Sequence, residues 1–262
     1  MEAGAASKTL RLGGRGVTVE GLSADDEYLG WLADGSDDDF WRVISHYVRP
    51  GDVCFDIGAN IGITSLLLAQ LPADPEIHAF EPGPRLFEVL RRNLERNGAR
   101  RATPVRAAIG DAQGRARFLE ASAFGHLSSA GGDEVEVATL AGYMTERGVA
   151  RLDFCKLDIE GSEWRVLRHA LPIFERDRTI VFFEFNSWCQ MAYGETNPKE
   201  FIDWICATFP AVFSVRGPAI TRVASPLAFL QANLTRNGCV DDLLVSMDPE
   251  RLGEPPSFQS GA

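Results

Sequence analysis

Between Gly51 and Arg85 the chain contains no lysine or arginine, although this interval holds the glycine-rich loop Gly58-Ala-Asn-Ile-Gly62. A nucleoside-triphosphate loop needs the spacing GxxxxGK(S/T), with a cation for the phosphates, so that ligand is excluded. A Tyr-x-x-x-Lys pair, used by one large class of dehydrogenases, is missing as well. So is an Asn-Pro-Pro-Tyr-type motif, which speaks against methylation of DNA or RNA bases. Paired cysteine spacing is absent: the five cysteines, at 54, 155, 189, 206 and 239, form no CxxC and are odd in number. They are expected to be reduced core thiols, and the protein to be cytoplasmic. No apolar run approaches the ~20 residues a membrane span needs, and the first residues, MEAGAASKTLRLGG, show no signal-type apolar core. Positive charge is outweighed, 26 basic against 37 acidic side chains, a net charge of −11. Such a field repels phosphate polymers, so neither nucleic acid nor an anionic membrane is expected as a partner.

What is present reads as alternating strands and helices. Residues 1–49 form an N-terminal extension, with a hairpin expected around Gly16 to Leu22 and a helix over 37–48, where Phe40, Val43, Ile44 and Tyr47 recur at helical spacing. Apolar strands are expected at 52–58, 76–82, 102–111, 152–161 and 179–186, with helices over 61–71, 84–98 and 162–171. A further helix starts at Asn197-Pro198-Lys199-Glu200, a capping sequence. The segments 114–120 and 134–140 look like antiparallel additions, 211–215 and 239–246 like closing strands, and 249–262 like a frayed tail. The fold class that follows is α/β, a mostly parallel sheet of seven strands flanked by helices over 50–248, with an N-terminal helical extension.

In such a sheet ligands bind beyond the carboxyl ends of the strands. Asp56 ends the first core strand and Glu81 the second. A carboxylate at Glu81 can accept both hydroxyls of a ribose, whereas Asp56 would repel a pyrophosphate but could take an ammonium group or hold the loop. A dinucleotide fits Glu81 and fits Asp56 badly. A ligand with adenosine at one end and an amino acid at the other, S-adenosylmethionine, satisfies both.

The stretches VCFDIGANIGITSLLLA, HAFEPGPRLFEVLRRNLERNG, AAIGDAQGRARF and FCKLDIEGSEWRVLRHA resemble the FkbM-type methyltransferases, a family of Rossmann-like, class I S-adenosylmethionine-dependent enzymes. The resemblance runs from about Pro50 to Asn186, and its most specific part is Lys-x-Asp-x-Glu-Gly-x-Glu. It implies that Asp56, Gly58, Asn60 and Gly62 line the methionine end, that Glu81 takes the ribose, and that Ala108 to Asp111 lies against the adenine. Asn60 stands where many members of the wider class have glycine, so its side chain either reaches the cofactor or holds the turn. The resemblance also implies O-methylation of a hydroxyl on a polyketide-like natural product or a sugar, with S-adenosylhomocysteine as product. An N-methyltransferase of a small molecule and a non-catalytic cofactor-binding module are the alternatives. A small-molecule acceptor is the expected partner, and a homodimer is left open.

Lys156, Asp158 and Glu160 alternate and are expected on one strand face, with Glu184 and Asn186 at the same level of the next strand. Carboxylates that close need Lys156 as counter-charge, a divalent cation, or one protonated member. Asp158 is expected to face the site in any case, and to touch the cofactor. Asp158, Glu184 and Asn186 are the candidate ligands should magnesium bind, an option that is not favoured. An acceptor hydroxyl must lose its proton as the new bond forms, and Asp158, Glu160 and His126 are the candidate groups to take it. His126 lies in the loop 121–133, expected as a lid over the acceptor.

Overall fold

The computed structural model describes residues 6–122, 124–217 and 219–253. The chain forms two compact units, one reaching to Ile109 and including Gly114–Val137, the other comprising Gly110–Gln113 and the chain from Ala138 onward.

The first unit opens with a hairpin, β1 (Ser7–Leu12) and β2 (Arg15–Glu20), in antiparallel register from Ser7↔Glu20 to Leu12↔Arg15. Its turn falls at Gly13-Gly14, earlier than expected, because both residues take positive φ, 55° and 83°, as a two-residue hairpin loop requires. Helix α1 (Glu27–Trp31) is capped by Asp26, and α2 (Asp38–Tyr47) buries Phe40, Val43, Ile44 and Tyr47 as their spacing predicts. The α/β layer follows as β3 (Val53–Ile57), α3 (Ile63–Ala69), β4 (Glu76–Phe80), α4 (Pro84–Arg96) and β5 (Ala102–Val105). The three strands are parallel, with Ile57 opposite Phe80 and Phe80 opposite Val105. The single strand expected over 102–111 is in fact two. β5 ends at Val105, and β6 (Ala108–Ile109) joins a second sheet with β7 (Gly114–Leu119), β8 (His126–Leu127) and β9 (Asp133–Ala138), in the order β6-β9-β7-β8.

The second unit runs α5 (Leu140–Arg147), β10 (Phe154–Leu157), α6 (Glu163–Asp177), β11 (Ile180–Asn186), α7 (Ser187–Ala192), α8 (Pro198–Thr208), β12 (Ala211–Arg216), β13 (Ala219–Arg222), α9 (Pro226–Thr235), β14 (Val240–Ser246) and α10 (Pro249–Leu252). β10 and β11 pair in parallel; β14 is antiparallel to β11 and to β12, and β13 is antiparallel to β12. The strands of the α/β layers are therefore mixed in direction rather than seven mostly parallel ones. The additional strand, β13, is mostly exposed and carries no apolar run, so nothing in its composition announces it. Of the expected tail, 249–252 is the helix α10, and 254–262 lies outside the described residues. All five cysteines are free thiols. Among the described residues no helix is long and apolar enough to cross a membrane.

Candidate active site

The residues singled out in the sequence fall into two groups, one in each unit. In the first, the chain leaves β3 and turns through Gly58, Asn60 and Gly62, all with positive φ (81°, 50° and 99°). The N–H groups of Gly58 and Ala59 both donate to the Phe80 carbonyl, 3.1 and 2.9 Å, which staples the loop to the end of β4. Gly62 begins α3, and a Cβ there would lie 2.8 Å from Leu90 Cδ1, so this glycine serves the packing of the loop on α4. Asp56 is buried, and its Oδ2 accepts from the hydroxyls of Thr64, at 2.7 Å, and Ser65. These contacts tie the end of β3 to the first turn of α3. Asn60 holds the turn: its Oδ1 accepts from the Ile61 N–H (2.7 Å), and its Nδ2 donates to the Ser122 carbonyl (2.7 Å).

Glu81 follows β4 and is buried. Its Oε2 accepts from the Asn60 N–H, 3.1 Å, and its Oε1 from the Gly83 N–H, 2.8 Å. A carboxylate can accept about four hydrogen bonds, so two oxygens fixed by backbone donors are still able to accept from a ribose diol. A Cβ at Gly83 would sit 2.9 Å from Glu81 Oε1 and 2.5 Å from Glu120 Oε1, so only glycine leaves these carboxylates their positions. Glu120 takes the N–H groups of Arg85 (2.9 Å) and Leu86 (2.8 Å) and the Arg85 guanidinium (2.6 Å). It thereby supplies the cap that Gly83, without a side chain, cannot give α4. Sequence reasoning missed Glu120 and Ser122; a helix opening on Gly83-Pro84 with no acceptor of its own was the available signal. Ala108 is buried in β6, in the first unit, whereas Asp111 is exposed and falls in the second.

His126 does not lie in an open loop. It is buried in β8, opposite Leu119 of β7. Its Nδ1–H donates to the Phe124 carbonyl, 2.9 Å, which leaves Nε2 as the basic nitrogen of the neutral ring.

In the second unit β10 ends at Leu157, so the alternation expected of Lys156, Asp158 and Glu160 stops short of Glu160. Glu160 (φ 52°) and Gly161 (φ 100°) form a turn instead. Glu163, the first residue of α6, closes that turn from within: its Oε1 accepts from the Ile159 N–H at 2.8 Å and its Oε2 from the Gly161 N–H at 3.0 Å. Lys156 Nζ lies 3.3 Å from Asp158 Oδ2, the counter-charge solution among the three weighed. The Cys189 thiol, on α7, donates to Glu160 Oε2, 2.8 Å. A Cβ at Gly194 would meet the Gly161 carbonyl oxygen at 2.1 Å, and one at Gly161 would meet that of Cys189 at 2.5 Å. At the end of β11, Asn186 Nδ2 donates to Glu184 Oε2, 3.1 Å, while its Oδ1 caps α7 through the Cys189 N–H, 3.1 Å.

Burial, and after it the Asp158 charge, pushes Glu160 up to about 8. Burial lifts Glu163 to about 7, against the backbone bonds from Ile159 and Gly161, which favour its charged form. Glu184 is raised well above the ordinary range by burial first, then by Asp158, Glu160 and Asp242. The corner therefore holds carboxyl groups that take up and release protons near neutrality. Among the described residues no group of three or more His, Cys, Asp or Glu side chains is placed to hold a metal ion.

The sequence profile of the Methyltransferase FkbM domain matches residues 56–207, more than half of the 262-residue chain. The chain belongs to the FkbM methyltransferase family. The FkbM profile covers both residue groups just described. The 31-O-demethyl-FK506 methyltransferase FkbM of Streptomyces tacrolimicus is 33% identical over 155 residues, 46% of this chain and 60% of that protein. The 2-O-methyltransferase NoeI of Sinorhizobium fredii (strain NBRC 101917 / NGR234) is 27% identical over 161 residues, 53% of this chain and 65% of that protein. The chain thus spans less than two thirds of the length of these curated relatives. Among solved structures, the 16S rRNA N2 G1207 methyltransferase RsmC of T. Thermophilus, in complex with AdoMet and guanosine, superposes with a TM-score of 0.52 at 13% identity, over 93% of this chain and 51% of that one. The methyltransferase FkbM of Methylobacillus flagellatus KT gives 0.47 at 16% identity, over 74% and 43%. The fold is the Rossmann-like class I methyltransferase fold.

Proposed function

We propose that this FkbM-family chain is an S-adenosylmethionine-dependent methyltransferase that acts on a hydroxyl of a small molecule, a polyketide-like natural product or a sugar. The observation that carries the proposal is the Glu81 carboxylate, buried after β4 and aimed by the N–H groups of Asn60 and Gly83. The residues present fit the adenosine end of the methyl donor: Glu81 binds the ribose hydroxyls, the Gly58–Gly62 loop forms the floor, and Ala108 is assigned to the adenine. Asp56 supports this end through Thr64 and Ser65. Bound there, S-adenosylmethionine supplies an activated methyl group.

The chain's own residues orient the acceptor and take its proton. Glu160, pushed up to about 8, is proton-bound at neutral pH and becomes a base as pH rises, while Asp158, paired with Lys156, is a second candidate to meet the acceptor hydroxyl. His126 is the other candidate base, through Nε2. No step calls on magnesium. The O-methyl assignment is supported by the names of the two relatives, and a small-molecule rather than a nucleic-acid acceptor by the net charge of −11. A cytoplasmic location belongs to the same proposal.

Calorimetry with S-adenosylhomocysteine and with NAD tests it. S-adenosylhomocysteine should bind at low micromolar Kd or tighter, roughly −8 kcal/mol. Glu81→Ala should lose ~1.5 to 3 kcal/mol of that, since a charged acceptor of two hydroxyls is removed. Binding of NAD in place of S-adenosylhomocysteine, or an unchanged affinity in Glu81→Ala, would refute it.

A further inference from the structure

A line of hydrogen bonds leaves the Glu81 carboxylate and ends in α1, entirely within the first unit. Asn60 is the joint. Its N–H donates to Glu81 Oε2 (3.1 Å) and its Nδ2 to the Ser122 carbonyl (2.7 Å). The Ser122 hydroxyl donates to Asp26 Oδ1, 2.8 Å, and accepts from the Tyr28 N–H, 3.0 Å. Asp26 is buried and also receives the N–H groups of Leu29 (2.8 Å) and Leu22 (2.7 Å), so it cannot turn away without uncapping α1. Two residues before Ser122, Glu120 grips the first amides of α4. The segment Glu120–Ser122 is thus a strap tied at one end to α4 and at the other to both the glycine loop and α1. Beyond it, Trp31 of α1 and Phe124 meet edge to face, ring centres 5.9 Å apart, with 56% and 41% of their surfaces exposed.

Asn60 holds φ 50°, a conformation that costs a non-glycine residue on the order of 1 kcal/mol and is kept only by its surroundings. Its side chain is locked by Ile61 and by the strap, and its N–H aims Glu81. Loosening the strap therefore loosens the carboxylate, although no strap side chain need touch a ligand.

We propose that Ser122 is a positioning residue for Glu81, acting through Asn60, and that the strap couples occupancy of the adenosine end to the order of α1. The inference rests on the assignment of Glu81 to the ribose of the methyl donor. Coupling is reciprocal: if α1 steadies the bound ligand, the ligand steadies α1.

The test is calorimetry with S-adenosylhomocysteine on the full chain, together with hydrogen exchange over residues 26–32. Ser122→Ala should bind about tenfold more weakly, the effect of one charge-assisted hydrogen bond, while Ser122→Thr, which keeps the hydroxyl, stays within about twofold of the parent. In a Glu81→Ala background the Ser122→Ala change should shift affinity by less than about twofold, because the path through Glu81 is already cut. S-adenosylhomocysteine should slow exchange of the α1 amides in the parent protein. That last measurement needs no variant, so an absence of added protection overturns the coupling even if Ser122→Ala fails to fold. An unchanged affinity in Ser122→Ala, or an equal loss with and without Glu81, overturns the positioning role. Loss of binding in Glu81→Ala with full binding in Ser122→Ala would sink the strap and leave the methyl-donor assignment standing; no binding to the parent protein would remove both.

Discussion

Replacing Glu163 by glutamine separates the charge of that side chain from its shape. Glu163 is buried, with one oxygen on the Ile159 N–H and the other on the Gly161 N–H. Burial pushes it up from 4.5 to about 7. Between those values the folded protein holds a proton that the unfolded chain has released, so stability falls as pH rises and the loss is complete above about 7. At ~1.4 kcal/mol per pH unit the loss accumulates to roughly 3 kcal/mol. Glutamine cannot ionise and escapes this loss, but its amide NH2 faces one of the two backbone donors, which costs about 1 to 3 kcal/mol at every pH. Glu163→Gln should therefore be clearly less stable than the parent at pH 5, and the gap should close or reverse by pH 8. Urea unfolding followed by circular dichroism at pH 5, 6, 7 and 8 measures it. Glu184, also raised, adds a falling slope common to the two proteins that drops out of the difference, while Glu160, raised in part by the Glu163 charge, loses some of its slope in the variant. Parallel stability curves, with a constant gap from pH 5 to 8, would show that Glu163 does not titrate there and would refute the reasoning.

Gly62→Ala should cost ~2 kcal/mol or more, because alanine would have to hold φ 99° and place its methyl 2.8 Å from Leu90 Cδ1; thermal unfolding reads the loss, and an unchanged midpoint would contradict it. At about pH 9, where Glu160 has given up its proton, Glu160→Gln should lower kcat ~100-fold or more while leaving S-adenosylhomocysteine affinity within about twofold, measured by transfer of labelled methyl to an acceptor-containing extract fraction. If His126→Ala shows that loss and Glu160→Gln does not, the base is the histidine.

The long elements were legible because their patterns are local. β3 and β4 are apolar runs, α4 places Leu86, Leu90 and Leu94 on one buried face, and Asn197-Pro198 announces α8 through the cap its side chain makes to the Lys199 N–H. The two-residue strands β6 and β8 carry no period; pairing with β9 and β7 creates them, and with β8 comes the burial of His126. Glu81 could be found from its place at a strand end. Asp56 could be found too, but the hydroxyls that bond it stand beyond the loop in the first turn of α3, at Thr64 and Ser65. The alternation argument failed at Glu160 because β10 ends at Leu157 and Glu160 takes φ 52°, a turn that Gly161 signals only in hindsight. Cys189 lies 29 residues from Glu160, a pairing made through space that no spacing rule reaches.

The contact between Gly161 and Gly194 has a practical side. Main chain rests on main chain there, with no side chain between, so the turn bearing Asp158 and Glu160 and the segment following α7 behave as one casting. An engineer who wishes to vary this part of the protein should leave both glycines alone. Diversity belongs at Trp188 and Met191, which stand on the same short helix as Cys189 with half or more of their surfaces in solvent. A library confined to those two positions varies the surface while sparing the foundations on which the acidic corner is set.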